Sequence, residues 1–424
     1  MPSSARGSAA PLRAKIASRA ALCALVAGLA LTTGGTAAAQ APPACPNAAP
    51  PPPVDTSEVP APGAPVPAPV PVPETPVGGD RMAECGVITA PGLPQPPGEV
   101  SAPSWVLADL DSGAVLAARD PHARHRPAST IKVLTALTAL RALRLDDTIV
   151  ATQDDANQEG SRVGLSPGVT YSVQQVLTGL IMQSGNDAAH ALAMKMGGMQ
   201  ATVDKMNAVA ASLGALDTRT ATPSGLDGPG MSTSAYDLAA IFRAAMHEPA
   251  FAAIIGTHNT LLPGAPGGPP LEVWSDNQVL LGYPGGLGGK TGFTDDARHT
   301  FIGAAERGGH RLVAVLMRGE NQPIRLSAQA MQLLDYGFGL SAVEPVGELV
   351  TTSPGPSTVD SSPEPQANSP EDGQPRSSSM FGTIGGPLAV LVLAAAAAIV
   401  ALARRQRRAK LAAASRQQDE DDHP

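Results

Sequence analysis

Residues 126 to 137 read RPASTIKVLTAL, a stretch that sets a lysine where a helix should not favour one. Val133, Leu134, Leu137 and Leu140 recur at helical spacing behind the polar pair Ser129 and Thr130. A helix is therefore expected to begin close to Ser129, with that serine as a candidate N-cap. The first turn of a helix carries partial positive charge from unpaired backbone N–H groups, and the third position after a capping serine favours Glu or Gln. Here that position is Lys132, on the same helical face as Ser129 and within reach of its hydroxyl. The helix end and any burial both disfavour an ammonium, so the amine is a candidate base near neutral pH. A neutral amine can take the proton of a serine hydroxyl without a histidine. Alone, Ser-x-x-Lys is a weak pattern whose competing explanation is an ordinary capping serine followed by a solvated lysine.

Around this stretch the chain divides by composition. It has 424 residues, 43% of them hydrophobic, with 43 prolines and 44 glycines, so a packed domain must alternate with non-globular segments. Residues 1–41 read as a secretory signal: Arg6, Arg13, Lys15 and Arg19 precede the apolar run ALCALVAGLAL and the small residues TAAAQA. Residues 42–99 are expected to form a Pro-rich extracellular linker, extended as polyproline II over its first part. Residues 346–384, rich in Ser, Pro and acidic residues, are expected to be a disordered tether. The uncharged run 385–403 is about 28 Å long as a helix, enough to cross a membrane once. RRQRR follows it, which leaves a cytoplasmic tail at 404–424 and everything before the span outside the cell membrane. Cys23 departs with the signal, so one disulfide is possible, between Cys45 and Cys85. The net charge of −8 gives no sign of a nucleic-acid partner.

Between the flanks, residues 100–345 form one expected domain. It opens on a hairpin signature around Asp111, Ser112 and Gly113, and closes on another around Gly308 and Gly309 followed by a helical stretch. The middle, from Ser129 to about Phe251, is mostly helical in period. The expected fold is α/β of the α+β type, an antiparallel sheet built from both ends of the domain, packed with helices and carrying an inserted helical region.

Two triplets change the weight of the opening pattern. Ser184, Gly185 and Asn186 lie between helical segments, and Lys290, Thr291 and Gly292 precede the last hairpin. Each has a bland alternative, a helix-to-helix turn with Asp187 as a cap and an ordinary strand end. In the order Ser-x-x-Lys, Ser-x-Asn, Lys-Thr-Gly they match the motif order of penicillin-binding proteins and serine β-lactamases. The words GSRVGLSPGVTYSVQQVLTGLIMQSGNDAAHALA, TPSGLDGPGMSTSAYDLAAIF and GGKTGFTDDARHTFIGAA resemble the low-molecular-mass D-alanyl-D-alanine carboxypeptidases, the S11 serine peptidases.

That resemblance covers about Val100 to Phe338 and implies a β-lactamase/transpeptidase-like fold. It implies Ser129 as acylated nucleophile, Lys132 as its base, and Ser184 with Asn186 as proton shuttle and substrate-amide contact. Lys290 and Thr291 would bind the substrate carboxylate, and the N–H groups of Ser129 and of Phe293, after Gly292, would form the oxyanion hole. The implied substrate is the peptidoglycan stem peptide, with β-lactams as covalent inhibitors and no cofactor or metal. Thr222 before Pro223 departs from the usual Asn-Pro, and Arg318 lies near where some relatives keep a carboxylate-binding arginine. A β-lactamase is disfavoured by the lack of a Glu-x-x-x-Asn word after Ser184; a wall-binding protein without catalysis is disfavoured by three intact motifs. His122 and His125 have neither the spacing nor the glutamate of a zinc peptidase and are expected at the surface.

Overall fold

The computed structural model describes residues 45–49, 51, 58–340 and 344–350. Residues 1–41 of the expected signal, the tether from 351 onward, the membrane span at 385–403 and the tail at 404–424 lie outside the described residues. Among the described residues no single helix is long and apolar enough to cross a membrane.

Strand β1 (Val87–Thr89) precedes the hairpin β2 (Ser104–Asp109) and β3 (Ala114–Arg119). Asp109 closes that turn, its Oδ1 accepting from the N–H groups of Asp111 and Ser112. A single 3-10 turn, Ala128–Ile131, leads into α1 (Lys132–Ala142). Then come β4 (Thr148–Val150), α2 (Gln153–Ala156), β5 (Thr170–Ser172), α3 (Val173–Met182), α4 (Asn186–Lys195) and α5 (Met199–Ser212). The helical region ends with α6 (Ala235–Met246) and α7 (Pro249–Ile255). A hairpin, β6 (Asn259–Leu262) with β7 (Leu271–Trp274), and the short α8 (Gln278–Gly282) return the chain to the main sheet. That sheet is completed by β8 (Gly286–Thr294), β9 (Arg298–Arg307) and β10 (His310–Gly319), after which come α9 (Leu326–Gly339) and β11 (Gly347–Glu348).

The main sheet has seven strands in the order β1-β3-β2-β10-β9-β8, all pairs antiparallel, with β11 pairing the other half of the outer edge of β3. Both faces are covered, which is why β10 reads as the unbroken apolar run LVAVLM rather than as alternating polar and apolar residues. Along β2, Val106 and Ala108 join the helical region's core, with Leu134 of α1 and Phe242 of α6. Trp105 and Leu107 point the other way, into a second core with Leu333 and Leu334 of α9. The antiparallel sheet from both ends of the domain, with helices inserted between, is as expected.

Both expected boundaries move outward. The expected linker at 42–99 is in its described parts bound to the domain. Cys45 and Cys85 form a disulfide, β1 joins the sheet, and the Glu58 carboxylate pairs with Arg126 at 2.6 Å. Prolines lack N–H donors but keep their carbonyls, so a proline-rich strand docks best on a donor-only surface. Arg219 supplies one donor to Ala68 O (2.6 Å) and Arg124 another to Pro71 O (3.0 Å). At the other end, β11 draws residues up to Val350 into the fold, so the tether cannot begin at 346.

Candidate active site

The turn before α1 is held from three sides. Pro127 O accepts from the hydroxyls of Thr130 (2.6 Å) and Thr300 (2.8 Å), and Ala128 adopts φ +47°, a left-handed conformation that costs a non-glycine residue about 1 kcal/mol. Gly225 passes so close beneath that a Cβ there would lie 2.0 Å from Ala128 O. Ser129 does not cap the helix, because no side-chain cap bond forms and α1 starts only at Lys132. Its hydroxyl instead meets the Lys132 Nζ at 2.8 Å.

Lys132 is fully buried. Its Nζ has two further partners that can only accept: Asn186 Oδ1 at 2.7 Å and the backbone oxygen of Ser224. Burial, with the neighbouring Lys290 charge, holds its pKa well below the ordinary lysine value, Asp187 opposing in part. The Asn186 amide is oriented unambiguously, since its Nδ2 donates to Glu159 O at 2.5 Å.

Ser184 is buried at φ +58°, in the turn that delivers Asn186 to the start of α4. Asp187 is more than a cap. Its carboxylate accepts from the N–H groups of Val163 (2.9 Å), Gly164 (2.8 Å), Leu165 (3.0 Å) and Ala188 (2.9 Å). The loop carrying Glu159 and Ser161 is thereby pinned beside Asn186, and Ser161 O accepts from the Asn186 N–H at 2.7 Å.

Opposite lies β8, the edge strand. Lys290 is fully buried, its Nζ donating to Thr291 O at 2.8 Å, and burial lowers its pKa to about 8 against the opposing charge of Asp276. The Thr291 hydroxyl donates to Asp276 Oδ2 at 2.8 Å. Gly292 is required by contact: a Cβ there would lie 2.3 Å from Thr300 Oγ1 and 2.9 Å from the Ser129 nitrogen. Phe293, 49% exposed, packs against His299 with ring centroids 4.7 Å apart and the rings tilted by 42°.

The fold thus gathers Ser129, Lys132, Asn186, Lys290 and Gly292 around one turn. Sequence reading missed three contributors. Asp187 and Asp276 each carry the same letter as a loop residue, and Ser224 acts through its backbone carbonyl, which no side-chain pattern records. Thr222 replaces the expected asparagine by shaping that turn: its hydroxyl accepts from Gly225 N (3.2 Å) and donates to Leu226 O (2.7 Å). Arg318 donates to Asp296 O at 2.7 Å. His122 and His125 are not surface residues. His122 is buried with Nδ1 2.6 Å from Asp217 and Nε2 donating to Val77 O at 3.0 Å, and burial lowers the pKa of His125 to about 4.

Comparison with known proteins gives one answer. The model of the peptidase S11 family, described as D-alanyl-D-alanine carboxypeptidase, matches residues 91–321. D-alanyl-D-alanine carboxypeptidase DacB2 of Mycobacterium tuberculosis is 50% identical over 272 residues, 63% of this chain and 92% of its own. DacF of Bacillus subtilis is 31% identical over 253 residues, covering 58% of this chain but 64% of its own length. A solved D-alanyl-D-alanine carboxypeptidase from M. tuberculosis H37Rv superposes with TM-score 0.60 at 47% identity, over 62% of this chain and 100% of that one. The Streptomyces K15 DD-transpeptidase superposes with TM-score 0.55 at 26% identity, over 58% and 100%.

Proposed function

The chain belongs to the S11 family of D-alanyl-D-alanine carboxypeptidases, and from that membership we propose that Ser129 is its acylated nucleophile and Lys132 the base that activates it. The reaction is hydrolysis of the terminal D-alanine from peptidoglycan stem peptides. One observation carries the assignment of residues. A neutral amine has two N–H bonds and one lone pair, and the two acceptor-only partners of Lys132, Asn186 Oδ1 and Ser224 O, use both hydrogens. The lone pair is left for the Ser129 hydroxyl, 2.8 Å away.

As Ser129 Oγ attacks the scissile carbonyl, its proton passes to Lys132 Nζ. The N–H groups of Ser129 and Phe293 take the charge of the tetrahedral oxygen, each such donor typically worth ~3 kcal/mol in the transition state. The Lys132 proton then moves through the Ser184 hydroxyl to the leaving nitrogen, and D-alanine departs. Water attacks the remaining ester, with Lys132 again accepting the proton, and regenerates the serine. Asn186 holds the substrate amide, and Lys290 with Thr291 holds the free carboxylate by charge-assisted hydrogen bonds. A β-lactam enters the same groove and leaves a slowly hydrolysed acyl group on Ser129.

The test is D-alanine release from diacetyl-L-lysyl-D-alanyl-D-alanine by the full chain, with mass spectrometry of a penicillin adduct. Release, together with an adduct on the Ser129 peptide that Ser129→Ala abolishes, supports the assignment. An adduct on another side chain overturns it. We also propose export, and a single membrane crossing at residues 385–403 with the catalytic domain outside. The Cys45–Cys85 disulfide supports an oxidising compartment. Extraction of the chain from membranes by alkaline carbonate alone would refute the crossing.

A further inference from the structure

The carboxylate strand holds a group of its own sign. Asp276 accepts, at 2.8 Å, the hydrogen of the Thr291 hydroxyl, the group assigned above to the substrate carboxylate. Its neighbours fix it there. Ser275 N donates to His258 O at 2.8 Å, while Asn277 caps α8 and donates from Nδ2 to Ile302 O at 3.2 Å. Asp276 and Thr291 also line one cavity of about 200 Å³, together with Gly292, His299, Asn321 and Arg325. The negative charge of Asp276 is felt by the buried Lys290 ammonium, which has no carboxylate hydrogen-bond partner among the described residues.

Resting on the carboxypeptidase reading above, we propose that Asp276 is a positioning residue of the carboxylate-recognition strand: in the free enzyme it holds the Thr291 hydroxyl in the substrate's place, and it supplies the charge that faces Lys290. Its two effects on substrate oppose each other. As an anion it competes with the substrate carboxylate for the Thr291 hydrogen. As the counter-charge of Lys290 it keeps that amine protonated to higher pH. The pKa of Lys290, about 8 with Asp276 present, falls when the charge is removed, so its ammonium is lost at lower pH. Among the described residues, the other ionisable groups around the pair are Lys132 of α1, whose pKa burial holds well below the ordinary lysine value, His299 of β9 and Arg325 before α9. None of them supplies a negative charge.

The experiment compares Asp276→Asn with the unaltered full chain in D-alanine release between pH 6 and 9. It uses both the free-acid peptide and its C-terminal carboxamide. At pH 6, where Lys290 is charged in either enzyme, KM for the free acid falls in the variant because the competing anion is gone. At pH 8.5 it rises, because Lys290, already partly deprotonated in the unaltered chain, has lost more of its proton once Asp276 no longer supports the charge. Each change is roughly three- to tenfold, the net size of one ordinary hydrogen bond. The two KM profiles therefore cross, kcat changes little, and the carboxamide shows no crossing. Glu272→Gln, on the neighbouring hairpin, removes a carboxylate without this contact and leaves the profile in place. Parallel profiles, a crossing shared by the carboxamide, or the same shift in Glu272→Gln overturn the role. A loss of both substrates at every pH together with a lower Tm does so too, since it marks Asp276 as merely structural. If the unaltered chain releases no D-alanine, the reading of the whole site falls, and this role with it.

Discussion

Lys132→Ala tests the arrangement on which the chemistry depends. The substitution removes the one side-chain partner of the Ser129 hydroxyl among the described residues and strands two buried acceptors, Asn186 Oδ1 and Ser224 O. An unpaired buried acceptor costs about 1–3 kcal/mol, offset in part because a poorly solvated amine no longer needs to be accommodated. The catalytic loss is separable, because it is read on enzyme that remains folded. General-base assistance is typically worth ~10²–10⁴ in rate, or about 3–5 kcal/mol in barrier at ~1.4 kcal/mol per tenfold. The assay is the second-order rate of acylation by a fluorescent penicillin, measured well below Tm, with Lys132→Met as a variant of similar volume. Both variants should acylate at least about a hundredfold more slowly. In the unaltered enzyme acylation should rise with pH as the remaining protonated Lys132 is titrated, and in the variants that rise should vanish. Acylation within about tenfold of the unaltered rate, or an unchanged acid limb, would refute the lysine as base.

Other outcomes are equally specific. Asp187→Ala removes the acceptor of four backbone N–H groups; stability should fall by about 3 kcal/mol or more, and amide exchange should accelerate first at Val163, Gly164 and Leu165. A loop that stays protected would deny Asp187 that function. Gly292→Val should abolish penicillin labelling with little change in circular dichroism, because its Cβ would lie 2.9 Å from the Ser129 nitrogen; normal labelling would show that the strand approaches differently. The buried His122, Asp217 and Asp237 cluster predicts a pH dependence of Tm. Its hydrogen bond to Asp217 raises the His122 pKa against desolvation, and burial beside Asp217 raises that of Asp237 to about 8. Both folded-state values exceed the unfolded ones, so the native state holds more protons; the stabilisation is complete below the unfolded pKa values and is lost as pH rises from them through the folded ones, up to about 8 for Asp237. Asp237→Asn should flatten the decline, and an unchanged slope would remove the cluster as its source.

The parts of the molecule that were legible in the sequence are those where one residue type has one physical meaning. Periodicity marked α1 and the helical middle of the domain, the turn residues at Asp111 and Gly308 marked both hairpins, and a lysine in a helix's first turn had no structural justification. The site became unreadable where position, not type, decides. Asp187 and Asp276 look like any loop aspartates, yet one gathers a loop and the other meets Thr291 across 15 residues of chain. Histidines in HARH sounded like surface residues because the charge that buries His122, Asp217, lies 95 residues downstream. The proline-rich arm was misread for a related reason. Its composition predicts the conformation of an isolated segment, whereas docking depends on the arginines that await its carbonyls.

The order of strands also fixes where a handle can be attached. Strands β1 and β11 share the outer edge of β3, while β8 lies five strand spacings from them, about 24 Å across the sheet. A surface, bead or fluorophore coupled just past Val350 would therefore sit beside neither the serine nor its lysine. An immobilised sensor for β-lactams built that way should keep its groove open to the sample.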